Sequence, residues 1–158
     1  MSLNKVRLNI DYCSHKSAKF AVEHWHYSKS LQAGKLYKLG VWENDKFIGC
    51  IIFSQGNNPN LGKKYNIDKY EVCELTRIAL SKHITSVSKI ISIAIKLLSR
   101  DNPKLKLVMS FADSNQNHLG IIYQASNFIF TGQTTLSKLY KAPNGKIYHT
   151  RSVSGGGM

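Results

Sequence analysis

The stretch EHWHYSKSL, Glu23 to Leu31, crowds two histidines, a tryptophan and a tyrosine into four positions and follows them with basic and hydroxyl side chains. On a helix, His24 and His26 stand two positions apart and face different ways, so they cannot hold a metal ion jointly. If the helix ends near His26, the chain can turn and carry His26 and Tyr27 to a new place. Joined there by a carboxylate, an imidazole and a phenol suit an iron ion; otherwise His26 is an ordinary helix-end histidine. Asp113 closes the apolar run LKLVMSFAD, at the carboxyl end of an expected strand, where open α/β sheets bind ligands. Its carboxylate can hold a substrate, act as a general base or simply cap the next segment. Arg77 lies inside YEVCELTRIAL at the parity of Leu75 and Ala79, with Glu74 on the other face of a regular strand. An unpaired buried charge is costly. Arg77 therefore either clamps a substrate or phosphate, or pairs with Asp113 from the neighbouring strand.

The elements that must position these residues are legible from periodicity. KVRLNID (Lys5–Asp11) alternates as a half-buried strand does. Ser14 or Ser17 can cap a helix through SAKFAVEHWHY, whose Ala18, Ala21, Val22 and Trp25 have helical spacing. KLYKLGVWENDKFIGCIIFSQG reads as a hairpin turning at Asn44-Asp45, and NNPNLGKKYN as a polar loop. Tyr70–Leu80 is expected to be a central strand. In SKHITSVSKIISIAIKLLSR one wide helical face collects Val87, Ile90, Ile91, Ala94, Leu97 and Leu98. Burial there overrides the poor helix propensity of β-branched residues. NPK stops that helix, and LKLVMSFAD is a buried strand. NQNHLGIIYQASN reads as a short helix, FIFTGQTTLSKLY as one strand, APNG as a turn and KIYHTRSVS as a closing strand. The order β-α-β-β-β-α-β-α-β-β defines a mixed α/β sheet with helices on its faces.

The bulk composition fits one domain over residues 1–154, with 155–158 a frayed tail ending in GGGM. Cys13, Cys50 and Cys73 form no CxxC pair, which excludes a zinc ribbon, a redox dithiol and a disulfide scaffold and fits a reducing, cytoplasmic location. No signal peptide is visible. The longest apolar stretch, Ile90–Leu98, is broken by Ser92 and Lys96 and is too short to span a membrane. With 22 Lys+Arg against 9 Asp+Glu, the net charge is +13. Such a field attracts polyanions, nucleic acid above all.

The element order, with a long helix straight after a central strand, resembles the GNAT acyltransferase fold. That resemblance implies a mostly antiparallel sheet whose strand YEVCELTRIAL splays from LKLVMSFAD. It also implies acetyl-CoA or another acyl-CoA with its pyrophosphate on the N-terminus of the following helix. The hydroxyls of Ser81, Ser86 and Ser88, with Lys82, His83 and Lys89, would line that place. The glycine-rich pyrophosphate loop of the GNAT pattern has no counterpart, since residues 81–89 contain no glycine.

Three separated motifs, HWHYSKSL, ELTRIAL and FADSNQNHLGIIYQASNFIFTG, more closely resemble the Mom family of bacteriophage DNA-modification proteins, in the same order and over most of the chain from His24 to Gly132. The resemblance implies a transferase that converts adenine N6 in double-stranded phage DNA to a methylcarbamoyl (acetamido) derivative, shielding it from restriction inside the host cell. It places the functional residues on His26, Tyr27, Arg77, Asp113 and Tyr123, with Fe(II) on His26 and Tyr27. Tyr123 would protonate a leaving group or be a packed aromatic whose hydroxyl finds a partner. Aromatic and basic residues interleave in WHYSKSLQAGKLYK and SKLYKAPNGKIYHTR. There Lys29, Lys35, Lys38, Lys138, Lys141, Lys146 and Arg151 would meet DNA phosphates around a flipped base, unless they are ordinary solvated strand residues. Two readings compete with this one. A general acyl-CoA-dependent N-acyltransferase acting on a small amine or protein is opposed by the missing glycines and by the charge. A non-catalytic DNA-binding protein is opposed by the five retained side chains. A zinc base deaminase is excluded, because neither H-x-E nor P-C-x-x-C occurs.

Overall fold

A computed structural model describes residues 5–113, 129–134, 137–141 and 147–151. In chain order the elements are β1 (Leu8–Tyr12), α1 (His15–Trp25), β2 (Lys35–Glu43), β3 (Lys46–Gln55), a 3₁₀ turn (Lys63–Tyr65), β4 (Val72–Leu80), α2 (Val87–Asp101), β5 (Leu107–Asp113), β6 (Ile129–Thr134), β7 (Ser137–Lys141) and β8 (Ile147–Arg151). The expected mixed α/β sheet is present. Strands β1 to β4 pair antiparallel in sequence order, and β5 joins β4 in parallel. Beyond it the spatial order continues β5-β8-β6-β7. FIFTGQTTLSKLY is two strands rather than the single one expected. β6 and β7 pair antiparallel with Thr134 opposite Ser137, and no Pro or Asn-Gly in this stretch marks the boundary between them. The expected helix over NQNHLGIIYQASN lies outside the described residues, as do Tyr123, Lys146 and the tail. Among the described residues, no helix is long and apolar enough to cross a membrane.

Among the described residues, helices α1 and α2 cover opposite faces of the sheet. Helix α1 is capped by Ser14, whose side chain accepts the Ser17 N–H. It lays Ala18, Ala21 and Val22 on Cys50, Ile52 and Ala79, small residues that let the helix approach closely. Helix α2 is capped by Ser86 and buries Ile90, Ile91, Ala94, Ile95 and Leu98. Its partners on the other face are Leu39, Val41, Ile48, Ile51, Phe53, Cys73, Leu75 and Val108. The hairpin turns at Asn44 and Asp45 as expected, both with positive φ (50° and 67°), the geometry that follows the right-handed strand twist.

Gly49 sits at a register shift in β3 with φ 144°, and a Cβ there would meet the Ala79 carbonyl oxygen. Gly49→Ala is therefore expected to cost about 1–3 kcal/mol from backbone conformation alone, and more from the overlap. A lowered thermal midpoint checks it; an unchanged midpoint would show that β3 relaxes freely.

Candidate functional site

Two irregularities shape the middle of the sheet. The β4–β5 ladder runs only from Val72↔Leu107 to Leu75↔Ser110, yet β4 continues to Leu80 and β5 to Asp113. At the last rung the Ser110 hydroxyl donates to the Leu75 carbonyl at 2.8 Å, so a side chain closes the ladder. Beyond it, Phe111–Asp113 pair with His149–Arg151 of β8. The second irregularity is one residue further along β4. Ile52 faces Arg77 and Phe53 faces Leu75, leaving Thr76 as the extra residue of a bulge, a device that re-aims the side chains after it.

The bulge corrects the sequence reading of Arg77. Leu75 belongs to the α2 cluster and Ala79 to the α1 cluster, so the two do not share a face. Arg77, directly opposite Ile52, lies on the α1 face. Glu74 was expected on the opposite face from Arg77. It instead shares that face, because it alternates with Cys73 and Leu75 before the bulge. Nothing in the residue types announces a bulge; only a pairing register does.

Helix α1 ends where the sequence allowed. His26 is its C-cap in extended conformation, its N–H still bonded to the Val22 carbonyl. The following segment runs back over the α1 face, where Leu31 packs on the α1 cluster. Arg77 donates from Nε to the Ser30 carbonyl (3.1 Å) and from Nη1 to the Thr76 carbonyl (3.0 Å). It therefore ties this segment to β4 at the bulge. Two forked donors in fixed directions are what a guanidinium provides and an ammonium does not. His26 is half-buried and stacks on Tyr27 (centroids 4.5 Å apart), while Tyr27 is 55% exposed. Of the five site residues expected from the sequence, His26 and Tyr27 stack on each other, and Arg77 holds the same post-α1 segment at Ser30. The structure sets the backbone of Asp113 at the end of β5 past the break in the ladder.

The His26 ring bears on iron. Its Nδ1 accepts the Ser28 N–H at 3.0 Å and lies 2.7 Å from the Ser28 hydroxyl. A neutral ring whose Nδ1 accepts carries its proton on Nε2, and a protonated nitrogen has no lone pair for a metal. Ligation of a metal through Nδ1 would require Ser28 to release that nitrogen. No group of three His, Cys, Asp or Glu among the described residues is placed to hold a metal. Cysteine chemistry is also remote. Burial pushes the Cys50 thiol up to about 12 and the Cys13 thiol up to about 11, so neither offers a thiolate at neutral pH.

The loop from Ser81 to Ser86 is organised by a residue that the sequence reading passed over. Glu43, the last residue of β2, is only 7% exposed. Its carboxylate accepts the Ile84 N–H at 3.0 and 3.1 Å, the Thr85 N–H at 2.6 Å and the Thr85 hydroxyl at 2.6 Å. Burial alone raises its pKa; the bonds from Thr85 and Ile84, with the charge of His83, outweigh this and hold the carboxyl below its ordinary value. Ser81 gives its hydroxyl to the Ile48 carbonyl, His83 turns Nδ1 to the Thr85 carbonyl, and the Ser86 hydroxyl accepts the Lys89 N–H and touches that of Ser88. Lys82 and Lys89 are exposed. As arranged, this loop does not fit the pyrophosphate of an acyl-CoA.

The basic residues expected at DNA are dispersed. Lys29 is exposed and neighbours Ser30 beneath Arg77, and Lys35 lies exposed over the Tyr37 ring. Lys38 is half-buried close to Cys13. Lys138 and Lys141 lie on β7, and Arg151 closes β8 with its Cα in register with Asp113 and Ser137.

Fold and site together define an α/β protein whose mixed sheet breaks its ladder between two parallel strands, with Arg77 of β4 tied to the segment that follows α1 and carries the stacked His26 and Tyr27. The chain belongs to the Mom protein family, which it matches over residues 7–157. Among curated proteins it is similar to methylcarbamoylase Mom of Escherichia phage Mu, with 31% identity over 146 residues covering 90% of this chain. The chain spans about 60% of that relative's length.

Proposed function

We propose that the protein modifies adenine in double-stranded DNA, placing a methylcarbamoyl (acetamido) group on N6 and so protecting phage DNA from restriction. The observation that carries this reading is the family match, whose residues 7–157 take in every element that builds the site; the name of the phage Mu relative supplies the group transferred. As N6 bonds to the incoming carbon it must lose a proton. Asp113, at the end of β5, is the base that takes it, while the Nε2–H of His26 and the phenol of Tyr123 are the donors for the departing group. The target base has to leave the duplex to reach them. The exposed Tyr27 ring offers it a stacking face, and the net charge of +13 draws the DNA. In this reading the GNAT-like splay corresponds to the end of the β4–β5 ladder.

Expressing the protein in cells with a plasmid, digesting the DNA to nucleosides and weighing them by mass spectrometry tests this directly. A deoxyadenosine heavier by the acetamido group is expected, and an unmodified digest from folded protein sinks the reading. Arg77→Lys is expected to lower the modified fraction about 100-fold, the loss typical of a misplaced catalytic group, because lysine cannot hold the Ser30 and Thr76 carbonyls together. Circular dichroism would confirm that the variant folds, and wild-type yield would show that the tie is dispensable.

A further inference from the structure

We infer that the loop between β4 and α2 is closed to phosphate because Glu43 already occupies it, so the carbon donor reaches this protein without a pyrophosphate seated on α2. The reference to a donor rests on the function proposed above; the occupancy of the loop stands on geometry alone.

Backbone N–H groups gathered before a helix are the donors that seat phosphates in nucleotide and coenzyme sites. Here the Ile84 and Thr85 N–H groups and the Thr85 hydroxyl all end on one carboxylate. Within the first turn of α2, the Lys89 N–H ends on the Ser86 hydroxyl and the Ile90 N–H on the Ser86 carbonyl. The carboxylate is a fixed tenant. Glu43 follows Leu39 and Val41 at two-residue spacing on the buried face of β2, so it returns to the loop without the loss of freedom that a diffusing anion suffers. An incoming phosphate would also meet the ionised Glu43 at contact distance, an unfavourable pairing of like charges. A cavity of about 420 Å³ lies alongside, lined by Glu43, Asn44, Lys46, Lys82, His83 and Ile84 among others. An anion entering it meets the side chains of Lys46, Lys82 and His83 rather than the main-chain donors that Glu43 holds.

Titrating the ¹⁵N-labelled full chain with inorganic pyrophosphate and, separately, with CoA reads the loop through the Ile84 and Thr85 amide resonances. In the wild type neither probe is expected to move them at millimolar concentration. In Glu43→Ala, which vacates the seat, pyrophosphate is expected to shift both amides along a saturable curve. Saturable shifts in the wild type overturn the inference, and so does a folded Glu43→Ala that ignores pyrophosphate. Should Glu43→Ala not fold, Glu43→Gln replaces it, and the wild-type titration decides by itself. The titration reads no catalysis, so its failure and an unmodified nucleoside digest are separate results.

Discussion

Asp113→Asn is expected to lower the yield of modified deoxyadenosine about 100- to 10,000-fold, the range for loss of a positioned general base, while retention on heparin is unchanged. The substitution keeps the shape of the side chain and removes its basicity. Asp113 ends β5 three residues beyond Ser110, where pairing with β4 stops, and its backbone is held in the sheet by Arg151 of β8. The fold around it does not depend on a negative charge there in any way the ladder records. Heparin retention follows the overall charge of +13, which one neutralised carboxylate only reinforces. Activity and retention should therefore separate. Wild-type yield in Asp113→Asn would make the residue structural, and parallel loss of both properties would mean that the variant had not folded.

Much of the scaffold was legible because it follows from local patterns. The Asn44-Asp45 hairpin, the Ser14 cap, the end of α1 at His26 and the apolar face of α2 each rest on residues a few positions apart. What escaped depends on distant segments. The bulge at Thr76 exists only in the register between β3 and β4. Missing it put Arg77 on the face of Leu75, whereas Arg77 stands opposite Ile52 on the α1 face and donates to the Ser30 and Thr76 carbonyls. Residue types singled out His26, and the structure shows its Nδ1 accepting the N–H of Ser28 two residues on. Glu43 carried a sign that went unread. A carboxylate in phase with Leu39 and Val41 lies on a buried face, and a buried charge must find donors.

That requirement gives the largest expected effect on stability. Glu43→Ala is expected to destabilise the protein by about 2–4 kcal/mol, since the Ile84 and Thr85 donors lose a charged acceptor and water reaches them only in part. For a chain of this size that is a fall of roughly 5–15 °C in thermal midpoint. The pH dependence has a definite sign. The folded carboxyl lies below its ordinary value of 4.5, so the folded state binds this proton more weakly than the unfolded chain does. The contribution of the ionised group is fully present above that value and disappears as pH falls through the depressed folded pKa. Glu43→Gln, which keeps one acceptor oxygen but never ionises, should accordingly be less stable than wild type near neutrality. The gap should narrow as the pH drops below about 4.5. Urea unfolding of both proteins at a series of pH values measures that gap. A gap that stays constant from neutrality down to pH 3 would mean that the charge of Glu43 contributes nothing to holding the loop.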